Sequence, residues 1–273
     1  MRTIIVATDF STAALNAANY AADMALAIDA DIALLHVYHI PAVYSDATLA
    51  TNLGDMQRLA TRNMNELKDQ LLLNRKGRLN ISIEIVLGNF FQELKTFCES
   101  INPYLVVLGS QGTTAADRLL FGGHTVHAMK KLEWPLITVP VGVSFSSIKK
   151  ICVACDFEDM ISNLPMEEIK EIVSDFHAEL HILNTSKKRA YNPEIIISSG
   201  LLKVLMAPIV PYYHFIESDD TDEAIMAFAE EKGVDLLIVL PKRHALLDKI
   251  IHSSHTKQMV FHSHVPVMAL HHL

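Results

Sequence analysis

Short apolar runs alternate along the chain with segments that carry apolar residues every three or four positions. The first half contains five such runs, each of strand length: IIVAT, IALLHVY, ISIEIVL, LVVLG and LITVP. The segments between them show helical spacing. In the first of these, Ser11 is the predicted N-cap of a helix whose apolar face is formed by Ala14, Ala18, Ala21, Ala25 and Ile28. Runs that are apolar on both faces and separated by helices predict parallel strands in a doubly wound α/β sheet.

The pattern of the first half recurs in the second half. RTIIVATDFS at 2–11 is repeated as KKICVACDFE at 149–158, and PYLVVLGSQG at 103–112 is repeated as VDLLIVLPKRH at 234–244. The offset is 147 residues for the first match and 131 for the second, so the second copy lacks about 16 residues between its second and third strands. A period this long indicates a duplicated domain rather than a solenoid unit.

The repeat predicts two tandem doubly wound domains, at 1–141 and 149–273, each with a five-stranded parallel sheet. Residues 142–148, GVSFSSI, are the predicted linker. Right-handed crossovers place any ligand at the carboxyl ends of the strands, near the switch in strand order.

Composition and charge narrow the class of protein. Half of the chain is hydrophobic and 20% is charged, which excludes a disordered or fibrous protein. The chain has 23 Lys and Arg residues against 31 Asp and Glu residues, so it lacks the positive charge that nucleic-acid binding needs. Three cysteines cannot build a disulfide framework, and no apolar stretch approaches the length of about 18 residues that a membrane span requires. We therefore expect a cytoplasmic protein with neither nucleic acid nor a membrane as its partner.

Glycine is concentrated in one segment of the first half. Eight of the ten glycines lie in residues 1–142, and four of them lie in GSQGTTAADRLLFGGHT at 109–125. Glycines after a strand allow backbone N–H groups to approach an anion closely, and a helix that begins near His124 would add the positive end of its dipole. The segment therefore predicts a phosphate-binding loop, although turns and helix caps alone would also account for its glycines.

Several other nucleotide-binding and hydrolase motifs are absent from the sequence, namely GxxxxGK(S/T), GxGxxG, GxSxG and HExxH. The spacing Gly109-xx-Gly112, followed after nine residues by Gly122, resembles the G-2x-G-9x-G(S/T) signature of the universal stress protein family. The resemblance covers the whole chain as two copies, and it implies an adenine nucleotide alpha hydrolase-like, Rossmann-like fold. It also implies ATP or AMP as the ligand, with or without Mg²⁺, at the ends of the strands.

The family resemblance implies a set of binding residues in the first copy. Asp9 ends the first strand, the backbone near Val37 and Leu108 recognises adenine, and the ribose and phosphates lie along the glycine segment. The complete set is Ala7, Thr8, Asp9, Val37, Gly88, Leu108, Gly109, Gly112, Gly122, Gly123, His124 and Thr125.

One position departs from the family signature. The Ser or Thr that follows the third glycine is Gly123 here, which removes a hydroxyl contact to phosphate, and Thr125 is the candidate replacement. Losing one hydrogen bond to a charged partner costs about 1–2 kcal/mol. We therefore expect nucleotide binding to be weakened rather than abolished.

The equivalent segment of the second copy, PKRHALLDKIIHSSHT at 241–256, contains no glycine. Pro241 stands in the place of Gly109 and removes a backbone donor, and His244 stands in the place of Gly112. Because their Cβ atoms would obstruct a phosphate, we predict that the second copy binds no nucleotide.

Histidines and cysteines raise the question of a metal site. Of the fourteen histidines, six lie near the end of the chain: His252, His255, His262, His264, His271 and His272. No Asp, Glu or Cys joins them at regular spacing, so we predict no metal. Cys152 and Cys155 are predicted to be two thiols at the edge of the core rather than a redox pair or half of a zinc site, because residues three apart on a strand point to opposite faces.

Polar residues at the strand ends leave two interpretations open. Asp9 and Asp156 occupy equivalent positions, and each could cap the following helix or face a ligand. The glycine segment favours the ligand for Asp9, and its absence favours the cap for Asp156. His36 and His124 lie near the predicted pocket, but nothing near them forms a set of nucleophile, base and orienting group, so we assign no catalytic residue.

The favoured hypothesis is a non-catalytic stress regulator that binds adenine nucleotide. A slow ATP hydrolase on the same fold, and an interaction protein with a vestigial pocket, are the alternatives. The resemblance also implies association through the final strand of each copy, because single domains of the family pair there. LITVP at 136–140 and PVMAL at 266–270 are therefore expected to pair within the chain as an intramolecular pseudo-dimer. A homodimer through other surfaces stays open.

Overall fold

The computed structural model describes residues 2–39, 46–110, 122–155, 165–186, 202, 204–241 and 263–271. The first half contains, in chain order, β1 (Thr3–Ala7), α1 (Thr12–Ile28), β2 (Asp31–Tyr38), α2 (Asp46–Asn74), β3 (Ile81–Leu87), α3 (Phe90–Ile101), β4 (Leu105–Ser110), α4 (Gly122–Lys131) and β5 (Leu136–Pro140). The second half contains β6 (Lys150–Ala154), α5 (Met166–Phe176), β7 (Glu179–Ser186), β8 (Tyr212–Glu217), α6 (Thr221–Lys232), β9 (Leu236–Val239) and β10 (Val267–Ala269).

The described strands form one ten-stranded sheet in the order β3-β2-β1-β4-β5-β10-β9-β6-β7-β8. Within each half the five strands are parallel, which confirms the predicted doubly wound α/β architecture. The halves meet where β5 and β10 pair in antiparallel register, with Met268 opposite Ile137. The expected pairing of the two final strands is therefore present, and it merges the two sheets into one.

Helix α1 begins and ends where its sequence predicts. The Ser11 hydroxyl accepts a hydrogen bond from the Ala14 N–H at 3.2 Å, and the chain leaves the helix at Asp29 in a left-handed conformation with φ of 53°. The predicted apolar face is buried along its whole length: Ala14, Ala18, Ala21, Ala25 and Ile28. Because four of these side chains are only methyl groups, the helix axis can lie close to the sheet.

Successive strand residues alternate between the two faces of the sheet. On β1, Ile4 and Val6 pack into one core with α1 and α2, whereas Ile5 and Ala7 pack into a second core with α3 and α4. The inner strands are thus apolar on both faces because each face has its own helical layer, whereas Ser82 and Glu84 of the outer strand β3 are exposed. The two helical layers are the physical reason that the inner strands read as continuous apolar runs.

The shortening of the second half lies between its second and third strands, as the offsets predict. The offset between equivalent strands is 148 residues for β2 and β7, and it falls to 131 for β3 and β8. Within the described ranges, no helix combines the length and the apolar character needed to cross a bilayer.

Candidate functional site

The strand order creates a crevice at the carboxyl end of β1. The chain leaves β1 towards β2 on one side and returns to β4 on the other, so the connections diverge above the end of β1. In doubly wound sheets this switch in strand order is where ligands bind. Three of the predicted residues come directly at this end: Ala7 is the last residue of β1, and Thr8 and Asp9 follow it.

Peptide groups of the two neighbouring strands face this crevice. The Thr8 N–H donates to the Leu35 carbonyl at 2.9 Å. Alternate residues of a strand direct their peptide groups to the same side, so the peptide groups of Val37 point in the same direction as those of Leu35, towards β1. The last residue of β1, Ala7, lies opposite Leu35, so Val37 lies beyond the end of β1. On β4, the Val106 N–H donates to the Pro135 carbonyl on the β5 side, so the peptide groups of Gly109, three residues later, point to the β1 side. The last residue pair between β1 and β4 is Val6 with Val107, so Gly109 also lies beyond the end of this pairing. Val37 and Gly109 therefore present peptide groups to the crevice.

Leu108 occupies a different environment. Its peptide groups face β5, where it stands in register with Thr138, and its side chain is buried on the α3 and α4 face. Gly88 follows β3, on the far side of β2 from β1, and its N–H donates to the Tyr38 carbonyl at 3.0 Å. The structure therefore brings Val37 and Gly109 together at the crevice, and it places Leu108 and Gly88 beside it.

The turn Thr8–Ser11 borders the crevice and closes on itself. Thr8 is buried, and its hydroxyl oxygen accepts a hydrogen bond from the Phe10 N–H at 3.0 Å. Asp9 is exposed, and its Oδ1 accepts from the Ser11 N–H at 3.0 Å. The N-cap of α1 is Ser11, so Asp9 supports the turn that precedes the cap and keeps an exposed carboxylate beside the crevice.

His36 and Phe10 are residues of this site whose roles the sequence did not show. The Nδ1 atom of His36 lies 2.8 Å from the Thr8 carbonyl oxygen, and its ring centroid lies 4.6 Å from that of Phe10. On the same strand, the Tyr38 ring is nearly parallel to His36, at 12° and 6.4 Å. A histidine at the end of an apolar strand gives no signal of this contact, because its partner lies 28 residues away.

Gly109 is required by the packing of α1 on β4. A Cβ atom at this position would lie 2.5 Å from the Ala13 carbonyl carbon and 2.8 Å from the Ala14 nitrogen, both backbone atoms that cannot swing aside. The missing side chain therefore lets the first turn of α1 lie directly against the end of β4. This explains the glycine by packing, independently of any anion.

The glycine segment is described only at its ends. Gly112 lies outside the described residues, and Gly122 and Gly123 begin α4. The first turn of α4 carries no acidic residue and its last turn carries Lys130 and Lys131, a distribution that suits the helix dipole. His124 is exposed and packs edge-on against Phe90 at 5.4 Å, and Thr125 is half-buried. The first turn of α4 itself thus carries no negative side chain, and His124 holds it against α3.

The second half repeats the strand-end contacts without the glycine. The Cys155 N–H donates to the Leu183 carbonyl at 3.0 Å, as Thr8 does to Leu35. Pro241 follows β9 in the place of Gly109, and a proline has no N–H to offer. Asp156 and His244, which the sequence comparison pairs with Asp9 and Gly112, lie outside the described residues.

The cysteines are buried or half-buried. Burial raises the pKa of the Cys98 and Cys152 thiols to about 12, so both stay protonated at neutral pH. Cys155 follows β6 and is half-buried. In the part of the chain that the structure describes, no three His, Cys, Asp or Glu residues converge as metal ligands.

A cavity of about 660 Å³ lies at the junction of the two halves, between the linker and the end of α5. Phe145, Phe176 and Lys149 line it, and none of the predicted binding residues does. Of its two acidic residues, Asp175 and Glu179, the first forms an ion pair with Arg2 at 2.8 Å. This cavity is separate from the crevice at β1.

Comparison with known proteins shows the family and the fold of the chain. The model of the Universal stress protein family matches residues 1–140 and again residues 147–271. A curated universal stress protein of Methanocaldococcus jannaschii is 26% identical over 137 residues, which are 50% of this chain and 80% of that protein. A crystal structure of a universal stress protein from Archaeoglobus fulgidus superposes with a TM-score of 0.77 at 18% identity. The superposition covers 99% of this chain and 98% of the chain in that crystal structure. A structure described as a putative universal stress protein from Pseudomonas aeruginosa gives 0.61 at 11% identity, over 99% of this chain and 93% of its own. These structures share the fold, and the two family matches show that the chain belongs to the universal stress protein family as a tandem, two-copy member.

Proposed function

We propose that the N-terminal half binds one adenine nucleotide, ATP or AMP, and that the chain acts as a non-catalytic regulator of the stress response. The observation that carries this proposal is the crevice at the end of β1, where the peptide groups of Val37 and Gly109 face the same space. Membership of the universal stress protein family supports a nucleotide as the occupant.

The residues around the crevice fit such a ligand. Peptide N–H and C=O groups that face the end of β1 offer both a donor and an acceptor to the edge of a base. The exposed Asp9 carboxylate accompanies them, and it suits the hydroxyls of a ribose. Gly112, Gly122 and Gly123 are the proposed phosphate contacts, together with the N-terminus of α4 and the Thr125 hydroxyl. A bound nucleotide, with Mg²⁺ where triphosphate is present, would supply a charged group whose presence can be read by a partner.

The two halves differ in a backbone N–H group at the crevice. Gly109 carries an N–H that faces the crevice, whereas Pro241 at the equivalent position has none. We therefore propose that the C-terminal half stays without nucleotide, and that the stoichiometry is one per chain.

Titration of the full chain tests stoichiometry and location together. We expect isothermal titration with ATP or AMP to give one equivalent per chain, and mass spectrometry of the purified protein to identify any nucleotide carried through purification. Gly112→Val should abolish binding with little loss of fold, because a branched side chain would stand where a phosphate approaches. His244→Val, the same change at the equivalent position of the second copy, should bind as the parent does.

The outcomes discriminate between the three hypotheses. Two equivalents per chain, or normal binding by Gly112→Val, would contradict the proposed site. No heat with ATP, ADP or AMP would favour an interaction protein with a vestigial pocket. A time course of ATP with the full chain should show ATP unchanged, and steady release of ADP would instead identify a hydrolase.

A further inference from the structure

The turn Thr8–Ser11 holds a conformation that its own residues do not favour. Phe10 has a φ of 64°, in the left-handed region that residues with a Cβ seldom adopt. Such a residue persists only where surrounding contacts hold it in place, and these residues cluster at ligand sites. The hydrogen bonds inside the turn, from Phe10 to Thr8 and from Ser11 to Asp9, link its members to one another. The Thr8 N–H ties the start of the turn to Leu35 of β2, but the two bonds inside the turn do not fix its later residues to the sheet.

His36 connects the turn to β2 at two points. A carbonyl oxygen only accepts hydrogen bonds, so the 2.8 Å contact with Thr8 requires that Nδ1 of His36 carries the proton. The same imidazole packs against Phe10, the strained residue, with ring centroids 4.6 Å apart. One side chain therefore contacts both the first residue of the turn and its left-handed residue.

The second half contains the same connection, built from a different residue. Asn184 on β7 stands where His36 stands on β2, and its Nδ2 donates to the Cys155 carbonyl at 3.3 Å. Cys155 corresponds to Thr8, because each donates its own N–H to the second strand. A side-chain donor from the second strand to the carbonyl after the first strand is therefore a feature of both halves, and either an imidazole or an amide can provide it.

We infer that His36 is a positioning residue of the nucleotide site: its Nδ1–H, donated to the Thr8 carbonyl, holds the Thr8–Ser11 turn in the arrangement that receives the ligand. This inference rests on the proposed function, since it assigns His36 a role in the same site. His36 acts through the turn, and the hydrogen bond rather than the ring is what the site requires.

Three variants of the full chain test this inference by titration with ATP. His36→Ala removes the donor, and we expect Kd to rise about fivefold to tenfold, as the loss of one neutral hydrogen bond predicts. His36→Asn keeps a donor of the kind that the second half uses, and we expect Kd to stay within about twofold of the parent because the bond is retained. Asn184→Ala breaks the equivalent bond in the half proposed to bind no nucleotide, and it should leave Kd unchanged.

Each contrary result overturns the inference. Unchanged binding by His36→Ala shows that the turn needs no such support. Equal losses in His36→Asn and His36→Ala show that the hydrogen bond is not the property that matters. Equal losses in Asn184→Ala and His36→Ala show a general loss of stability instead of a local effect.

Amide hydrogen exchange of the ligand-free chain separates this inference from the proposed function. We expect the Phe10 and Ser11 amides to exchange faster in His36→Ala and to recover their protection in His36→Asn. If the parent binds no nucleotide, the proposed function fails, and the exchange pattern still decides whether His36 holds the turn. Identical exchange in all three proteins refutes the role of His36 in either case.

Discussion

Gly109 meets two requirements at the carboxyl end of β4. Its missing Cβ makes room for the backbone of Ala13 and Ala14, and its peptide group faces the crevice above β1. The first requirement is geometric and holds in the empty protein. The second concerns a ligand. Substitution at this position therefore reports on packing before it reports on binding.

Gly109→Ala should lower the free energy of unfolding by about 1–3 kcal/mol, the usual cost of forcing an extra carbon into a packed site. The cause is the 2.5 Å approach of the new Cβ to the Ala13 carbonyl carbon, which displaces α1. Urea unfolding of the full chain measures the effect. Gly54→Ala is the matched control, because that glycine lies in α2 with nothing within 4 Å of a new Cβ. It should stabilise the protein by about 0.5–1 kcal/mol. Equal midpoints for Gly109→Ala and the parent would contradict the close approach of α1 to β4.

At the scale of elements, β7 and β8 are joined by a pair of histidines. The Nδ1 atom of His181 lies 2.9 Å from the Nε2 atom of His214, so one imidazole donates to the other and at least one is neutral. Tyr212 stacks on His181, and Phe228 of α6 packs on His214. Burial lowers the pKa of both rings. The charges of Lys150 and Lys232 add to this effect on His181, and Glu179 opposes it.

This pair should make the protein less stable in acid. The pKa values of these histidines are lowered in the folded chain and lie near 6.5 in the unfolded chain. Below about pH 6.5 the unfolded chain therefore binds more protons than the folded chain. The free energy of unfolding should therefore fall as the pH falls through about 6.5 towards 5. Urea unfolding across this range tests the slope. A His181→Gln, His214→Gln double variant should show a shallower slope. A parent slope no steeper than that of the double variant would contradict the assignment.

The elements were more predictable from sequence than the contacts between them. The runs ISIEIVL and LITVP coincide with β3 and β5 residue for residue, because β-branched runs between polar turns leave few alternatives. Between the second and third strands, the sequence pattern predicts a helix of about 20 residues that ends near Lys76, whereas α2 is longer and covers Asp46–Asn74. The bonds of His36 to Thr8 and of Asn184 to Cys155 could not be predicted, because they join distant residues through side-chain directions that only the folded sheet sets. For the same reason the sequence related Gly109 to an anion, a turn or a helix cap, and it gave no sign of the packing of Gly109 against α1.

At the scale of the whole molecule, the halves are joined by a shared sheet and by polar contacts beside it. Arg2, at the start of the first half, forms an ion pair with Asp175 of α5 at 2.8 Å. The Tyr104 hydroxyl donates to the same carboxylate at 2.7 Å, and burial together with this bond raises the pKa of Tyr104. The phenol therefore remains a donor across the pH range in which the protein would be studied. Along β5, the residues that face β10 are buried.

Expression of residues 1–143 alone tests the dependence of the first half on this shared sheet. Without β10, the edge of β5 would expose the peptide groups and apolar side chains of Leu136–Pro140. Such an edge pairs readily with another strand, so we expect a dimer or an aggregate. Light scattering with size-exclusion chromatography at micromolar concentration measures the mass. A soluble monomer would show that β5 needs no partner.

The pairing of β5 with β10 also means that β5 remains unpaired for part of protein synthesis. The 126 residues from 141 to 266 separate the two strands, so the ribosome completes β5 long before β10 exists. At translation speeds of 5–20 residues per second, this interval lasts roughly 6–25 s. During this time the nascent first half exposes β5 without its partner β10. Other nascent chains on the same mRNA expose the same strand. Slower translation through the second half would lengthen this exposure without changing a single amino acid.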